Sequence, residues 1–353
     1  MSRANILKFV SICFVCCSAL MLALFFTMGQ SNTTKNGFTR NIPTDNLSVD
    51  KEIALTEGDY YIAGYTADQI YLGNIRKPFY LFTADNSLHL QSLQLQFPAR
   101  LKYTWQSARI AVDSPYIYMS DGITPKFFKG DLSHLKMDTF MSRSSYFTAA
   151  TNISPGSFAV RAVHATAHEN MLLKVQTDSP YVIKPADVLK KQVEGIFCTD
   201  GQLKYDKASN RLIYMYHYRN QYLLLDTNLN LIKTLKTIDT TSTAKISIAN
   251  TSAQGNFTLA APPAFVNTTL CMQAGRIYIN SVLLADNESS SVIDKNNVID
   301  IYTAGNGRYL RSLYIPKQHG ESLKDMCILK DKLIVVYPDN LVVYNLPKDL
   351  LLQ

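Results

Sequence analysis

Apolar and polar positions alternate with a period of two through most of this chain, and short polar turns break the alternation at close intervals. The segment IYLGN-IRK-PFYLFTADN (70–86) has the same grammar as LIYMYHY-RN-QYLLLDTNLN (212–230). YIYMSDG-ITP-KFFKGDL (116–132) and LIVVYPD-N-LVVYNL (333–346) repeat it. Such alternation predicts half-buried antiparallel strands joined by tight turns. A unit of this size cannot bury its faces alone, so copies must stack.

Two stretches resolve into four strands each. Residues 60–95 give YYIAGY, QIYLGN, PFYLFT and LHLQSLQL; residues 201–237 give QLKYD, RLIYMYHY, QYLLLDT and LIKTLKT. That is the size of one propeller blade. Residues 107–140, 157–192 and 268–316 fit the template with more noise. The last region, 323–346, has only three strands, and KEIALTE (51–57) is available as the fourth. A last sheet completed by the N-terminal strand closes the ring and removes open edges. The fold class expected is therefore all-β: a six-bladed β-propeller of four-stranded antiparallel blades over 51–353. Five blades plus a hairpin, or seven, also fit, because 237–268 is long and ambiguous. The best helical stretch after the N-terminus is KPADVLKKQVEG (184–195), and no βαβ alternation points to a Rossmann or barrel enzyme.

The N-terminus changes the picture of compartment. Arg3 and Lys8 precede an uncharged stretch from Phe9 to about Met28. Roughly 20 apolar residues span a ~30 Å hydrocarbon core. The basic flank places that end in the cytoplasm and the remainder outside. A cleaved signal peptide is the rival reading, but its apolar region usually runs only ~7–15 residues. The expected organisation is a cytoplasmic 1–8, a transmembrane signal anchor 9–29, a polar tether 30–50 and a periplasmic propeller. The membrane is thus engaged through residues 9–29, as a single-pass inner-membrane protein.

Composition narrows the chemistry. The chain has 353 residues and a formal charge of +7, with no run of Lys or Arg. A nucleic-acid surface needs a basic stripe interleaved with stacking aromatics, so nucleic acid is not an expected partner. Of six cysteines, Cys13, Cys16 and Cys17 fall in the apolar stretch. Cys198, Cys271 and Cys327 cannot form a closed disulfide framework. Cys271 and Cys327 occupy equivalent positions in neighbouring repeats and read as small buried hydrophobes; a bridge or redox pair is the alternative.

In a propeller, turns between the second and third strands share a face with the links between blades. The expected turns are Arg76-Lys77, Asp121 to Pro125, Asp178 to Pro180, Arg219-Asn220, the 286–297 excursion and Asp339-Asn340. The links are 96–106, 141–156, 193–200, 238–267 and 317–322. Long insertions gather on this face, which is how rigid scaffolds present binding groups. Arg109 and Arg161 are expected on innermost strands at the channel, where a charge must be hydrated or paired. Candidate ligand- or partner-binding residues are Arg76, Arg109, Arg161, Glu194, Asp200, His217, Arg219, Asn220 and Asp286. His164 and His168 stand at i, i+4, but in a strand connection that spacing loses its metal-binding meaning. No GxSxG, SxxK, GxGxxG or P-loop occurs, and no metal or cofactor is implied.

DSPYIYMSDGITPKFFKGDL (113–132), ISPGSFAVRAV (153–163), EGIFCTDGQLKYD (194–206), LIYMYHYRNQYLLLDTNLNL (212–231), KTIDT (236–240) and LLADNES (283–289) carry a resemblance. Over about 50–350 the chain resembles membrane-anchored six-bladed propellers of the TolB-like and NHL-like class, in particular an uncharacterised group from Bacteroidota. The resemblance implies a binding platform and brings no catalytic set. The expected function is a non-catalytic module binding a protein or small-molecule ligand in the periplasm. The alternative is a hydrolase or lyase acting on a peptide or glycan. That reading requires Arg109, Arg161, Glu194, Asp200, His217 and Arg219 to converge on one pocket.

Overall fold

A computed structural model describes residues 3–29, 35–42, 47–98, 104–141, 145–164, 166–184, 187–250, 257–347 and 350. Helix α1 (Arg3–Gly29) precedes the sheets. Its side chains are described continuously over residues 11–22. Among the described residues no helix is long and apolar enough to cross a membrane.

Strand β1 (Ser48–Ala54) comes first in sequence and last in the ring. The first blade is β2 (Tyr60–Tyr65), β3 (Gln69–Asn74), β4 (Tyr80–Asp85) and β5 (Leu90–Gln94). The second is β6 (Ala108–Asp113), β7 (Tyr116–Asp121), β8 (Lys126–Asp131) and β9 (Met137–Met141). The third is β10 (Phe147–Ser154), β11 (Ser157–Val163), β12 (Asn170–Gln176) and the short β13 (Val182–Ile183). The fourth is β14 (Gly201–Asp206), β15 (Arg211–Tyr216), β16 (Gln221–Leu225) and β17 (Leu231–Lys236). A two-stranded hairpin, β18 (Ile248–Asn250) with β19 (Phe257–Leu259), follows. The fifth blade is β20 (Asn267–Gln273), β21 (Arg276–Ser281), β22 (Asn296–Thr303) and β23 (Tyr309–Pro316), with a one-turn helix α2 (Ser291–Lys295) between its second and third strands. The sixth is β24 (Asp325–Leu329), β25 (Lys332–Val336) and β26 (Asn340–Asn345), completed by β1.

Every four-stranded sheet is antiparallel between neighbours. Inner strands β2, β6, β10, β14, β20 and β24 contact one another in sequence, and β24 returns to β2. The ring is closed with six blades. The closing strand pairs Ile53 with Leu341 and Ala54 with Asn340. It sits slightly upstream of the expected 51–57 and gives the outermost edge of blade six a partner.

The core follows from stacking. One apolar cluster lies at each of the six blade boundaries, because each strand buries its alternate side chains against the next sheet. Between blades two and three, Phe127 packs on Phe158 with ring centroids 4.6 Å apart, and on Phe147 at 5.0 Å. Such pairs add ~0.5–1.5 kcal/mol beyond the area they bury. Aspartates close the turns: Asp121 accepts from the backbone N–H of Ile123 and Thr124 with one oxygen, and from Gln106 and Ser107 with the other. This is the Asx-turn chemistry that makes Asp a turn residue.

Three expectations are corrected. Residues 147–154, read as part of a link, form β10, the innermost strand of blade three. Arg161 consequently lies on β11, the second strand, and Asp178 to Pro180 fall on the opposite face, between the third and fourth strands. The FTAATNIS sequence hides β10 because its small and polar residues carry no apolar alternation. Residues 187–195 form no helix; Val188 and Leu189 instead pack on blade four. An isolated three-turn helix is marginal in water, so tertiary contacts decide.

The third correction concerns the polar tether. Residues 30–34 and 43–46 lie outside the described residues, but Asn36 to Asn41 dock on blade five. Phe38 and Arg40 are buried. The Arg40 guanidinium donates through Nε and Nη2 to Asp300, at 2.8 and 3.1 Å. Nη1 reaches Glu288 at 2.7 Å and the Leu283 carbonyl at 2.9 Å, and Nη2 also meets Ser281. Burial disfavours the charge, but Asp300 and Glu288 outweigh it and hold the Arg40 proton more tightly than usual. Docking fixes the backbone as well: Asn287 exchanges two hydrogen bonds with the Arg40 main chain.

Candidate functional site

The face that carries the links also carries the turns between second and third strands, as the topology requires. Its largest elaboration lies between β17 and β20, where residues 237–266 include the extra hairpin. Large apolar side chains stand exposed around this face: Ile75 and Ile123 on turns, Tyr146, Val193 and Phe265 on links. Tyr146 is 67% exposed and Ile123 and Val193 are each 51%. They lie on turns or links of successive blades.

Three of the candidate residues meet where blades three and four adjoin. Arg161 on β11 donates through Nη1 to Asp200 and to the Gly201 carbonyl, and through Nε to Thr148 on β10 at 2.9 Å. Its side chain is largely buried, whereas Asp200 is about one-third exposed. Burial works against the Arg161 charge, yet Tyr214 and Asp200 more than compensate and its pKa rises. Tyr214 donates its own hydroxyl to the Thr199 carbonyl at 2.5 Å.

His217 follows β15 and completes the cluster. Its backbone N–H donates to the Asp200 carbonyl at 3.0 Å, and its own carbonyl accepts from Val266 and Asn267. The imidazole Nδ1 lies 2.9 Å from the Asn267 carbonyl. A carbonyl can only accept, so Nδ1 carries the proton and Nε2 the lone pair. Burial pushes the imidazole pKa down, partly opposed by Asp200, so the ring is neutral at pH 7. Phe265 and Tyr218 pack against it edge-on, with centroids 5.7 and 6.2 Å away. The arrangement offers a neutral acceptor near a carboxylate, flanked by the exposed Phe265 ring and the buried Tyr218 ring.

The remaining candidates serve other ends. Arg76 is exposed and paired with Asp59 at 2.6 Å on the first blade. Arg109, exposed on β6, lies over the Tyr61 ring at 5.2 Å. Glu194 is buried and caps the backbone N–H groups of Ile196 and Cys198 at 2.6 and 2.5 Å. Asn220 holds the following link, with its N–H on the Thr241 carbonyl and Nδ2 on the Asp239 carbonyl. Asp286 accepts from the backbone of Asn36 and Gly37, so it anchors the docked N-terminal segment. Arg219 is 1% exposed, with its guanidinium stacked on Tyr216 at 3.6 Å. The six side chains that the enzyme reading gathers into one pocket are therefore distributed: Arg161 pairs with Asp200, His217 joins Asp200 through its backbone, Arg109 and Glu194 bind elsewhere and Arg219 stacks on Tyr216.

Cys271 on β20 and Cys327 on β24 are buried free thiols on adjacent inner strands. Burial raises both thiol pKa values, that of Cys271 to about 12. Neither is a ready thiolate, which fits the packing reading.

The docked N-terminal segment and the burial of Arg219 were missed by sequence reasoning. A signal for the first existed: Asp300 sits alone in the apolar strand NNVIDIYT, and a buried carboxylate demands a cation.

No family model matches the sequence, and no curated protein matches it. Solved structures do. A member of the DUF4221 family from Bacteroides vulgatus aligns with a TM-score of 0.55 and 12% identity, covering 85% of this chain and 97% of that one. A streptogramin B lyase aligns with a TM-score of 0.51 and 12% identity, covering 86% and 98%. Both similarities are at the level of fold: this chain is a six-bladed β-propeller, and its structural neighbours include a Bacteroides protein of the DUF4221 family.

Proposed function

We propose that this protein is a non-catalytic binding module that engages a protein partner with the link-bearing face of its propeller. One observation carries the reading. Five large apolar residues, Ile75, Ile123, Tyr146, Val193 and Phe265, stand exposed on that face, across turns or links of successive blades. A small ligand needs a concave site that buries most of its surface. Side chains spread around a ring suit a partner that covers about 800 Å². Exposed tyrosine and phenylalanine are the residue types that interfaces enrich.

The setting we propose is the periplasm, with the Phe9–Gly29 stretch of α1 as the membrane anchor. Support comes from the basic flank and the uncharged run of sequence. Alkaline extraction and protease protection of the full-length protein test this: the chain should stay in the membrane pellet, with the propeller digested only from the outer side.

The binding reading is tested by co-purification from detergent-solubilised membranes. Full-length protein is compared with an Ile123→Ser/Tyr146→Ser/Val193→Ser variant of equal melting temperature. A stoichiometric partner lost in the variant supports the face. Retention in the variant moves the interface elsewhere. The alternative, a hydrolase or lyase, would draw on Arg161, Asp200 and His217. Turnover of a peptide or glycan, abolished in His217→Gln, would favour it.

A further inference from the structure

We propose that Arg219 is an anion-binding site, closed in this structure by two inter-blade links. The inference uses a different group from the Arg161–Asp200–His217 cluster and does not depend on the binding-platform reading.

Arg219 lies in the turn between β15 and β16. Its guanidinium has five N–H donors and no acceptor. Among the described residues only Nη2 has a hydrogen-bond partner, the Lys190 carbonyl at 2.9 Å. Nε and Nη1 are buried with no hydrogen-bond partner. No carboxylate lies within ion-pair distance of it among the described residues. The Tyr216 ring beneath supplies cation–π attraction. That contact acts on the guanidinium face and leaves the in-plane donors unmet. A buried cation with unmet donors is costly, and proteins carry such strain where it serves binding. The missing element is a planar or tetrahedral oxyanion, which guanidinium edges hold with strong charge-assisted bonds.

The surroundings fit an access route. The Lys190 peptide is held between Tyr216, whose hydroxyl accepts its N–H at 3.2 Å, and Arg219. Residues 187–198 and 238–246 meet in a small apolar cluster of Cys198, Ala244 and Ile246 around Tyr218, and Gln192 adds a polar tie at its edge. Gln192 donates through Nε2 to the Ser242 carbonyl at 2.9 Å and accepts through Oε1 from the Ala244 N–H at 2.8 Å. Two neutral hydrogen bonds and this small apolar contact are modest forces, so the links can part at limited cost. Lys190, Lys191 and Lys245 are exposed on the same links. Although Lys191 is paired with Glu169, these cations bias the local field toward anions. The chemistry recognised is a carboxylate or a phosphate; a peptide C-terminus, an acidic sugar or a phosphate ester would each supply it.

The test uses the full-length protein in detergent at constant ionic strength, with chloride replaced by acetate in one arm and by inorganic phosphate in the other. The ¹⁵Nε–H resonance of Arg219, assigned by its loss in Arg219→Lys, is followed by NMR. The expected result is a saturable shift of that resonance with at least one of the two anions; the arm that saturates identifies the ligand class. Arg219→Met should weaken the anion-induced rise in melting temperature by about tenfold or more in apparent affinity. In chloride it should melt no lower than the native protein. Gln192→Ala should speed anion exchange. No saturable shift of the Arg219 resonance with either anion overturns the proposal, even if Arg219→Met fails to fold. An undiminished affinity in a folded Arg219→Met also overturns it.

Discussion

Arg40 and Arg219 are the fully buried arginines among the described residues, and their partners differ completely. Arg40 places all three guanidinium nitrogens on acceptors, including the carboxylates of Asp300 and Glu288. Arg219 places one nitrogen on a backbone carbonyl and leaves two without partners. Equal burial thus hides opposite energetics. The first is a complete network, which rigidifies what it joins. The second keeps donors in reserve, and a structure that tolerates such a group retains it for something other than stability.

The sharpest way to break this comparison is to remove each arginine. Arg40→Ala should cost about 3–5 kcal/mol, because it leaves Asp300 and Glu288 buried without their cation. Chemical denaturation of the full-length protein measures this, and residues 36–41 should become protease-sensitive. Next in size is the Arg161–Asp200 pair. A double-mutant cycle to alanine should give a coupling of about 1 kcal/mol, since Asp200 still meets solvent. A coupling near zero would make the pair incidental to the join between blades three and four.

His217 sharpens the comparison through pH. Its folded pKa is depressed by burial, while the unfolded imidazole titrates near ~6.5. Between those values the unfolded chain binds more protons, so stability falls as pH drops through that interval. The contribution is complete above the unfolded pKa. In His217→Gln the acid-side slope of unfolding free energy against pH should flatten. An unchanged slope would assign the acid sensitivity to other groups.

Arg219→Met should come close to neutral or stabilise slightly, because the methionine stem keeps the packing on Tyr216 and removes an unpaired charge. A loss as large as that of Arg40→Ala would erase the distinction between the two sites. The smallest effect is expected for Tyr146→Ser, within about 0.5 kcal/mol, as for an exposed residue with no hydrogen-bond or ring partner among the described residues. A larger loss would mean that Tyr146 is a structural residue rather than a contact residue.

The ring was legible because its repeat is written in alternation. LIYMYHY and QYLLLDT announce strands with no help from tertiary structure, and the incomplete last blade announces its own missing strand. What escaped had little local signal. FTAATNIS forms an inner strand without an apolar stripe; its bonds to β11 and its place between neighbouring blades hold it. NGFTRN looked like tether because its two buried residues are surrounded by polar ones. Only the isolated Asp300, two hundred and sixty residues away, hints at its destination. For the site, the template put Asp200 and His217 on the link-bearing face but Arg161 on an innermost strand; Arg161 pairs with Asp200 because the unrecognised β10 shifts it to the second strand of its blade. Burial in a turn follows from how the 187–198 and 238–246 links lie, and no local pattern encodes that for Arg219 or Glu194. Asp286 illustrates the same gap: an acidic loop residue reads as a surface ligand until the chain's own segment is found on it.

The central claim is that one face of the ring meets a protein partner, and photo-crosslinking from defined positions tests it most directly. A photoreactive amino acid is placed at Ile123, Tyr146 or Val193 on the link-bearing face, and at Tyr65 or Tyr181 on the opposite face, in the full-length protein in intact cells. The account predicts one crosslinked species of constant mass from the first three positions and none from the other two. Crosslinks from Tyr65 and Tyr181 alone, or no crosslink from any position, would contradict it.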